Sequence, residues 1–206
     1  MADVPITQKP IESQSRRFDP KNLPTPGPPL QPGEAGVTVC DFSCEAEFDI
    51  EGTPTESPTE EGCEVTLTAS VAAVTIDLTI TIWLPEDADE QLTAHEDGHA
   101  DICKEVYDGA KQAAADAAKA FGKRTFTGKG KKCEDAKQAA IDMAVGAFCN
   151  DYGARTRAVD QRVSDIYDDL TDKGKKAEPK PKDAVKKAFK KYKDEKEKEK
   201  EKGQKK

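Results

Sequence analysis

The chain has 206 residues, 35% of them charged and only 6% aromatic, which bounds it to one principal domain with a modest core and irregular ends. Its net charge of −8 is unevenly spread: from Lys173 onward 16 lysines face 7 acids, so the remainder is strongly acidic. An acidic body excludes nucleic acid as the body's ligand and leaves only the basic tail available to anionic surfaces.

Residues 1–35 are proline-rich, including the run Pro24-Thr25-Pro26-Gly27-Pro28-Pro29, and are expected to form a disordered leader. Met1 to Pro10 has no apolar core, so no signal peptide is read there, and no apolar run is long enough for a transmembrane segment. Val37 to Ile50 alternates, with Cys40, Phe42, Cys44, Ala46, Phe48 and Ile50 on one face of a strand. Gly52 to Gly62 reads as an acidic turn-rich loop. Val65, Leu67, Ala69 and Val71 alternate next, and Ile76, Leu78, Ile80 and Ile82 alternate in the opposite parity. The change of parity predicts a turn or bulge at Ala72 to Thr75.

An alanine-rich stretch without proline from Ala88 to Phe121 predicts a helix. Gly122 to Gly130 breaks it, and a second helix is expected from Cys133 to Asp172. Beyond Lys173 the lysine-dense tail is expected to be flexible. The predicted fold is thus α+β: a small antiparallel sheet, then a long two-helix hairpin, with disordered ends. The domain would span 36–174, flanked by the leader 1–35 and the tail 175–206.

The first helix carries His95-Glu96-Asp97-Gly98-His99, and these are the only 2 histidines of the chain. Residues four apart share a helix face, so both imidazoles can hold one ion. This H-E-x-x-H spacing points to zinc bound by His95 and His99, with Glu96 placed to accept a proton from bound water. Zinc commonly takes a third protein ligand. Glu105 occupies the third-ligand place of extended motifs, but those need a helix-ending glycine where this chain has Ile102. The ligand is therefore sought on the second helix, among Asp160, Asp165, Asp168, Asp169 and Asp172. Simple hairpin register points to Asp160.

The 6 cysteines (40, 44, 63, 103, 133 and 149) are an even count with no C-x-x-C pair. They favour disulfides, and so a secreted or periplasmic chain, over a thiolate cluster. Cys133 and Cys149 on one helix would lie about 24 Å apart and cannot pair. The pairing expected is Cys103–Cys149, Cys63–Cys133 and Cys40–Cys44, the last only if Asp41 to Ser43 bends.

The run from Leu92 to Ile102 resembles the motif helix of a bacterial domain-of-unknown-function family described as secreted zinc-dependent (HExxH) proteases, in which the pattern is L-x-x-H-E-x-G-H-x-D-I. The preceding strand ending in Leu84-Pro85 and the segment Tyr167-Asp168-Asp169-Leu170-Thr171, similar to a family Y-D-x-x-T, extend the likeness over Val37 to Gly174. The family continues T-x-H-G, whereas this chain has Asp172-Lys173-Gly174 and lacks that histidine. On this basis Asp168 is taken as the third zinc ligand, with Asp160 and Asp172 as rivals. The resemblance implies a zinc metallopeptidase acting on a peptide or protein substrate. Tyr152 or Tyr167 could add a phenol, although packing is the commoner role of a tyrosine on a helix. The alternative is a non-catalytic metal-binding or adhesion module stapled by disulfides.

Overall fold

The computed structural model describes residues 4–59, 62–176 and 178–203. The elements are β1 (Ile6–Gln8), β2 (Glu12–Phe18), β3 (Val37–Thr59), β4 (Gly62–Pro85), α1 (Glu90–Asp108), α2 (Ala110–Phe121), β5 (Lys123–Gly130), α3 (Cys133–Thr171) and α4 (Pro181–Gly203). They form a 5-stranded sheet in which every other strand pairs with β4. β1 and β2 run parallel to β4, with Ile6 opposite Val74 and Glu12 opposite Thr79. β5 runs antiparallel to it, with Cys63 opposite Gly130.

The small antiparallel sheet followed by a two-helix hairpin is therefore not what forms. The leader supplies two strands parallel to β4 ahead of its proline run, and the tail supplies α4, elements that were not expected there. α1 and α3 are not consecutive either, because α2 and β5 lie between them in the chain. β4 crosses the predicted turn unbroken: Val65, Leu67, Ala69 and Val71 are buried, then Val74, Ile76, Leu78, Ile80 and Ile82. The parity changes at Ala72 and Ala73, both half-buried, within one continuous strand.

The chain divides into two compact units. The first comprises residues 1–10, 42–77 and 109–156, of which 1–3, 60 and 61 lie outside the described residues. Two disulfides staple it, Cys44–Cys149 and Cys63–Cys133. Phe121 lies at its core, with ring centroids 5.4 Å from Phe48, 5.9 Å from Phe126 and 6.1 Å from Phe148. The glycines of β5 read in the sequence as a break, but they let the strand approach α3. A Cβ on Gly128 would overlap the backbone of Ala136 and Ala140.

The second unit comprises residues 11–41, 78–108 and 157–206, of which 177 and 204–206 lie outside the described residues. In it α1 packs against α4, which buries Ala184, Val185, Ala188 and Phe189 and leaves its lysines exposed. Arg16 of β2 lies 5.0 Å over the Trp83 ring, and Arg17 donates a hydrogen bond to the Pro85 carbonyl at 3.0 Å. Cys40–Cys103 ties the start of β3 to α1, with Cα atoms 6.3 Å apart.

Cys63–Cys133 pairs as expected, but the other two pairings differ. The expected Cys103–Cys149 pair assumes a simple hairpin of two consecutive helices. With α2 and β5 inserted, Cys103 is level with the early part of β3 instead. Three disulfides suit an oxidising compartment, and among the described residues no helix is long and apolar enough to cross a membrane.

Gly128→Ala is expected to destabilise the protein by about 1–3 kcal/mol through backbone overlap. Gly146→Ala on α3, where a Cβ meets nothing within 4 Å, should be neutral or stabilising by up to about 1 kcal/mol. Denaturant unfolding of the two variants beside the wild type checks the contrast.

Candidate metal centre

α1 begins where Asp89 caps it: the Leu92 amide donates to Asp89 Oδ1 at 2.7 Å, and Glu90 sits favourably in the first turn. This start sets the phase of the helix and turns His95, Glu96, Ile102, Cys103 and Val106 inward. His95 is 7% exposed and Glu96 4%, unusually deep for both residue types.

Opposite lies the last part of α3, running antiparallel to α1 by the order of its contacts. Thr171 meets His95, Asp168 meets both histidines, Ser164 meets His99, and Asp160 meets Cys103. Tyr167 is the packing pivot. Its ring stacks on His95 at 5.2 Å and 17°, stands edge-on to His99 at 5.0 Å, and its hydroxyl donates to the His95 carbonyl at 3.1 Å. It approaches so closely because residue 98 is glycine: a Cβ there would fall on the phenol oxygen. Burial pushes the Tyr167 phenol well above its ordinary range, so it stays protonated and structural.

α3 ends at Thr171, and Asp172 and Lys173 take positive φ of 53° and 52°, followed by Gly174 at 77°. The turn brings Gly174 against His95, where a Cβ would stand 2.8 Å from the ring Cγ. Gln91 of α1 fastens the turn by donating to the Gly174 carbonyl.

The two imidazoles are oriented alike. Nδ1 of His95 lies 3.4 Å from Thr171 Oγ1, and Nδ1 of His99 lies 3.3 Å from Ser164 Oγ. Thr171 donates its own hydroxyl proton to the Tyr167 carbonyl at 2.9 Å, so toward His95 it accepts. Nε2 of His95 and Nε2 of His99 face the same oxygen, Asp168 Oδ1, at 3.4 and 3.1 Å. Two imidazoles whose Nδ1 atoms are protonated would present Nε2 lone pairs to a carboxylate. That arrangement is repulsive unless a proton or a metal ion sits between.

The donor set fits a metal. Nitrogen and oxygen ligands about 2.0–2.1 Å from a tetrahedral zinc stand about 3.3 Å from one another. The observed 3.1 and 3.4 Å bracket that separation, and all three donor atoms lie within 4.8 Å of one another. The outward Nδ1 atoms on hydroxyl partners also match the way metal-bound histidines are oriented.

Without an ion, protons take the same place. Burial opposes protonation of His99, but the hydrogen bond and charge of Asp168, then Glu96 and Asp160, outweigh it and raise its pKa above the ordinary 6.5. Burial alone would raise Asp168, yet hydrogen bonds from His95 and His99 and their charges hold it well below the usual carboxylate range. Glu96 moves the other way: its burial outweighs the attraction of His99, the Thr38 hydrogen bond and His95, and lifts its pKa. The Thr38 hydroxyl lies 2.8 Å from Glu96 Oε2 and 3.0 Å from the Glu96 carbonyl.

Among the second-helix acids weighed in the sequence, Asp168 joins the histidines. Asp160 lies beside the Cys40–Cys103 disulfide, Asp172 lies past the end of α3, and Asp165 and Asp169 are exposed. Glu105 is exposed on α1, and Tyr152 belongs to the other unit. Sequence reasoning missed Thr38, Ser164 and Thr171. The latter two stand four before and three after Asp168, on its helix face, so their spacing carried a usable signal. Thr38 comes from a distant strand, and nothing local marks it. Comparison with family models, with curated proteins and with solved structures finds no match to this chain.

The Asp168–His99 pair gives the metal-free protein a stability term with a definite pH window. A raised histidine pKa contributes below 6.5 and is lost as pH rises through the folded value. A depressed aspartate pKa contributes above 3.8 and is lost as pH falls through the folded value. Asp168→Asn should therefore cost more stability at pH 5 than at pH 8, and it should lower the His99 pKa in an NMR titration of the metal-free chain.

Proposed function

We propose that the chain is a zinc-dependent metallopeptidase whose centre is built from His95, His99 and Asp168, with Glu96 as general base. What supports this reading most is the convergence of both Nε2 atoms on Asp168 Oδ1 at tetrahedral ligand spacing, with a buried carboxyl one residue from the first histidine. A divalent ion such as zinc, when bound, supplies a water of lowered pKa and a Lewis acid for a peptide carbonyl.

The chain's own residues have defined tasks. Ser164 and Thr171 hold the imidazoles with Nε2 inward. Asp168 balances the charge of the centre and is itself fixed between the two rings. Glu96 accepts a proton from the attacking water and returns it to the leaving amine. Its burial, which raises its pKa above that of an ordinary carboxylate, suits a group that must carry the proton between those events. Thr38 restricts the carboxyl by hydrogen bonding to Oε2. Tyr167 is committed to the His95 carbonyl and acts by packing.

The rival reading is a centre that binds metal and does no chemistry. Glu96→Gln separates the two. On the metallopeptidase reading it keeps zinc affinity within a few-fold and lowers peptide hydrolysis by about 10²–10⁴-fold. His99→Ala should remove both. Peptide cleavage that is absent in the zinc-loaded wild type, or unchanged by Glu96→Gln, would contradict the enzyme reading. Ser164→Ala and Thr171→Ala are expected to weaken zinc binding by about 10–100-fold, read by competition with a chromogenic chelator.

A further inference from the structure

One turn along α1 from His99 and two turns back along α3 from Asp168, a second cluster is assembled: Cys40, Cys103 and Asp160. One sulfur from each cysteine and one carboxylate oxygen lie within 4.8 Å of one another. The two sulfurs are joined as a disulfide.

The acid is the unexpected member. Asp160 Oδ1 lies 3.3 Å from Cys103 Sγ, a sulfur that carries no proton to donate while the disulfide is intact. Burial pushes the carboxyl up to about 6, with the charge of His99 opposing. A half-buried acid gains little from a disulfide and much from a cation held between reduced sulfurs. We propose that Cys40, Cys103 and Asp160 are a second, redox-gated metal site, which takes a thiophilic divalent ion such as zinc when this disulfide is reduced.

The geometry permits the exchange. Two thiolates on a tetrahedral zinc stand about 3.8 Å apart, and a thiolate and a carboxylate oxygen about 3.6 Å. Side-chain rotation reaches the first separation from Cα atoms 6.3 Å apart, and the second is close to the present 3.3 Å. Cys103 is buried, but Cys40 and Asp160 are only half-buried, so an ion has access from their side. With glutathione as reductant, two glutathione thiols give two electrons and two protons to the sulfurs and leave as glutathione disulfide. Ion binding then displaces the two cysteine thiol protons. Metal and disulfide are alternative ways of tying β3 to α1.

The test is a redox titration of the full chain in glutathione buffers with and without added zinc. Cysteines are trapped by alkylation, and each pair is read separately by peptide mass spectrometry. Zinc stabilises whichever state binds it by mass action. The ratio of reduced to oxidised Cys40–Cys103 should rise at least tenfold with zinc, while Cys44–Cys149 and Cys63–Cys133 stay unchanged. Asp160→Asn should shrink the shift, and Asp168→Asn should preserve it, which separates this site from the histidine centre. A zinc-independent ratio, a shift shared equally by all three pairs, or a full shift in Asp160→Asn would each overturn the proposal. Should Asp160→Asn not fold, the pair-by-pair comparison in the wild type still decides.

Discussion

Two neutral imidazoles cannot both aim a lone pair at one carboxylate oxygen without something positive between them. With their protons on Nδ1, His95 and His99 would stand in that relation to Asp168, since both Nε2 atoms face its Oδ1 at 3.4 and 3.1 Å. Their Nδ1 atoms are engaged by Thr171 and Ser164, which turns the Nε2 atoms inward. Protons can fill the gap, which is why His99 is raised and Asp168 depressed. A metal ion would fill it too, since the two Nε2–Oδ1 separations of 3.4 and 3.1 Å are near those of tetrahedral ligands.

The surrounding fold holds that geometry with small residues at two contacts. Gly98 lets the Tyr167 ring press against both histidines, and Gly174 lets the chain turn against His95. Asp89 fixes where α1 starts, and hence which way positions 95, 96 and 99 point. Cys40–Cys103 secures α1 one turn below the centre, while α4 covers another part of the same helix. The carboxyl of Glu96 is buried in this packing beside the Thr38 hydroxyl, and burial raises its pKa.

The local arrangement of the centre could be read from the sequence because it depends on helix periodicity. Two histidines four apart on a proline-free, alanine-rich stretch have little choice but to share a face. Asp168 was reached through a resemblance, since register alone favoured Asp160. That register assumed a direct hairpin, which α2 and β5 replace. The sheet was harder to see. β2 is ESQSRRF, exposed except at Phe18, so it carries no apolar alternation to announce a strand. Its pairing with β4 is parallel and distant in sequence. β5 was hidden by glycines that signal a turn locally but serve a close strand–helix contact. In α4 the apolar stripe of Ala184, Val185, Ala188 and Phe189 is short beside the dense lysines, which read as a flexible tail. In each case a tertiary contact overrode a correct local preference.

The claim on which the account rests is that both imidazoles and the Asp168 carboxylate hold one ion together. X-ray absorption at the zinc edge, on the oxidised full chain loaded with one equivalent of zinc, tests it most directly. The account predicts a four- or five-coordinate ion with two imidazoles and the remaining ligands oxygen, at about 2.0–2.1 Å. A six-oxygen sphere without imidazole scattering, a sulfur ligand in the oxidised protein, or a chain that retains no zinc would contradict it.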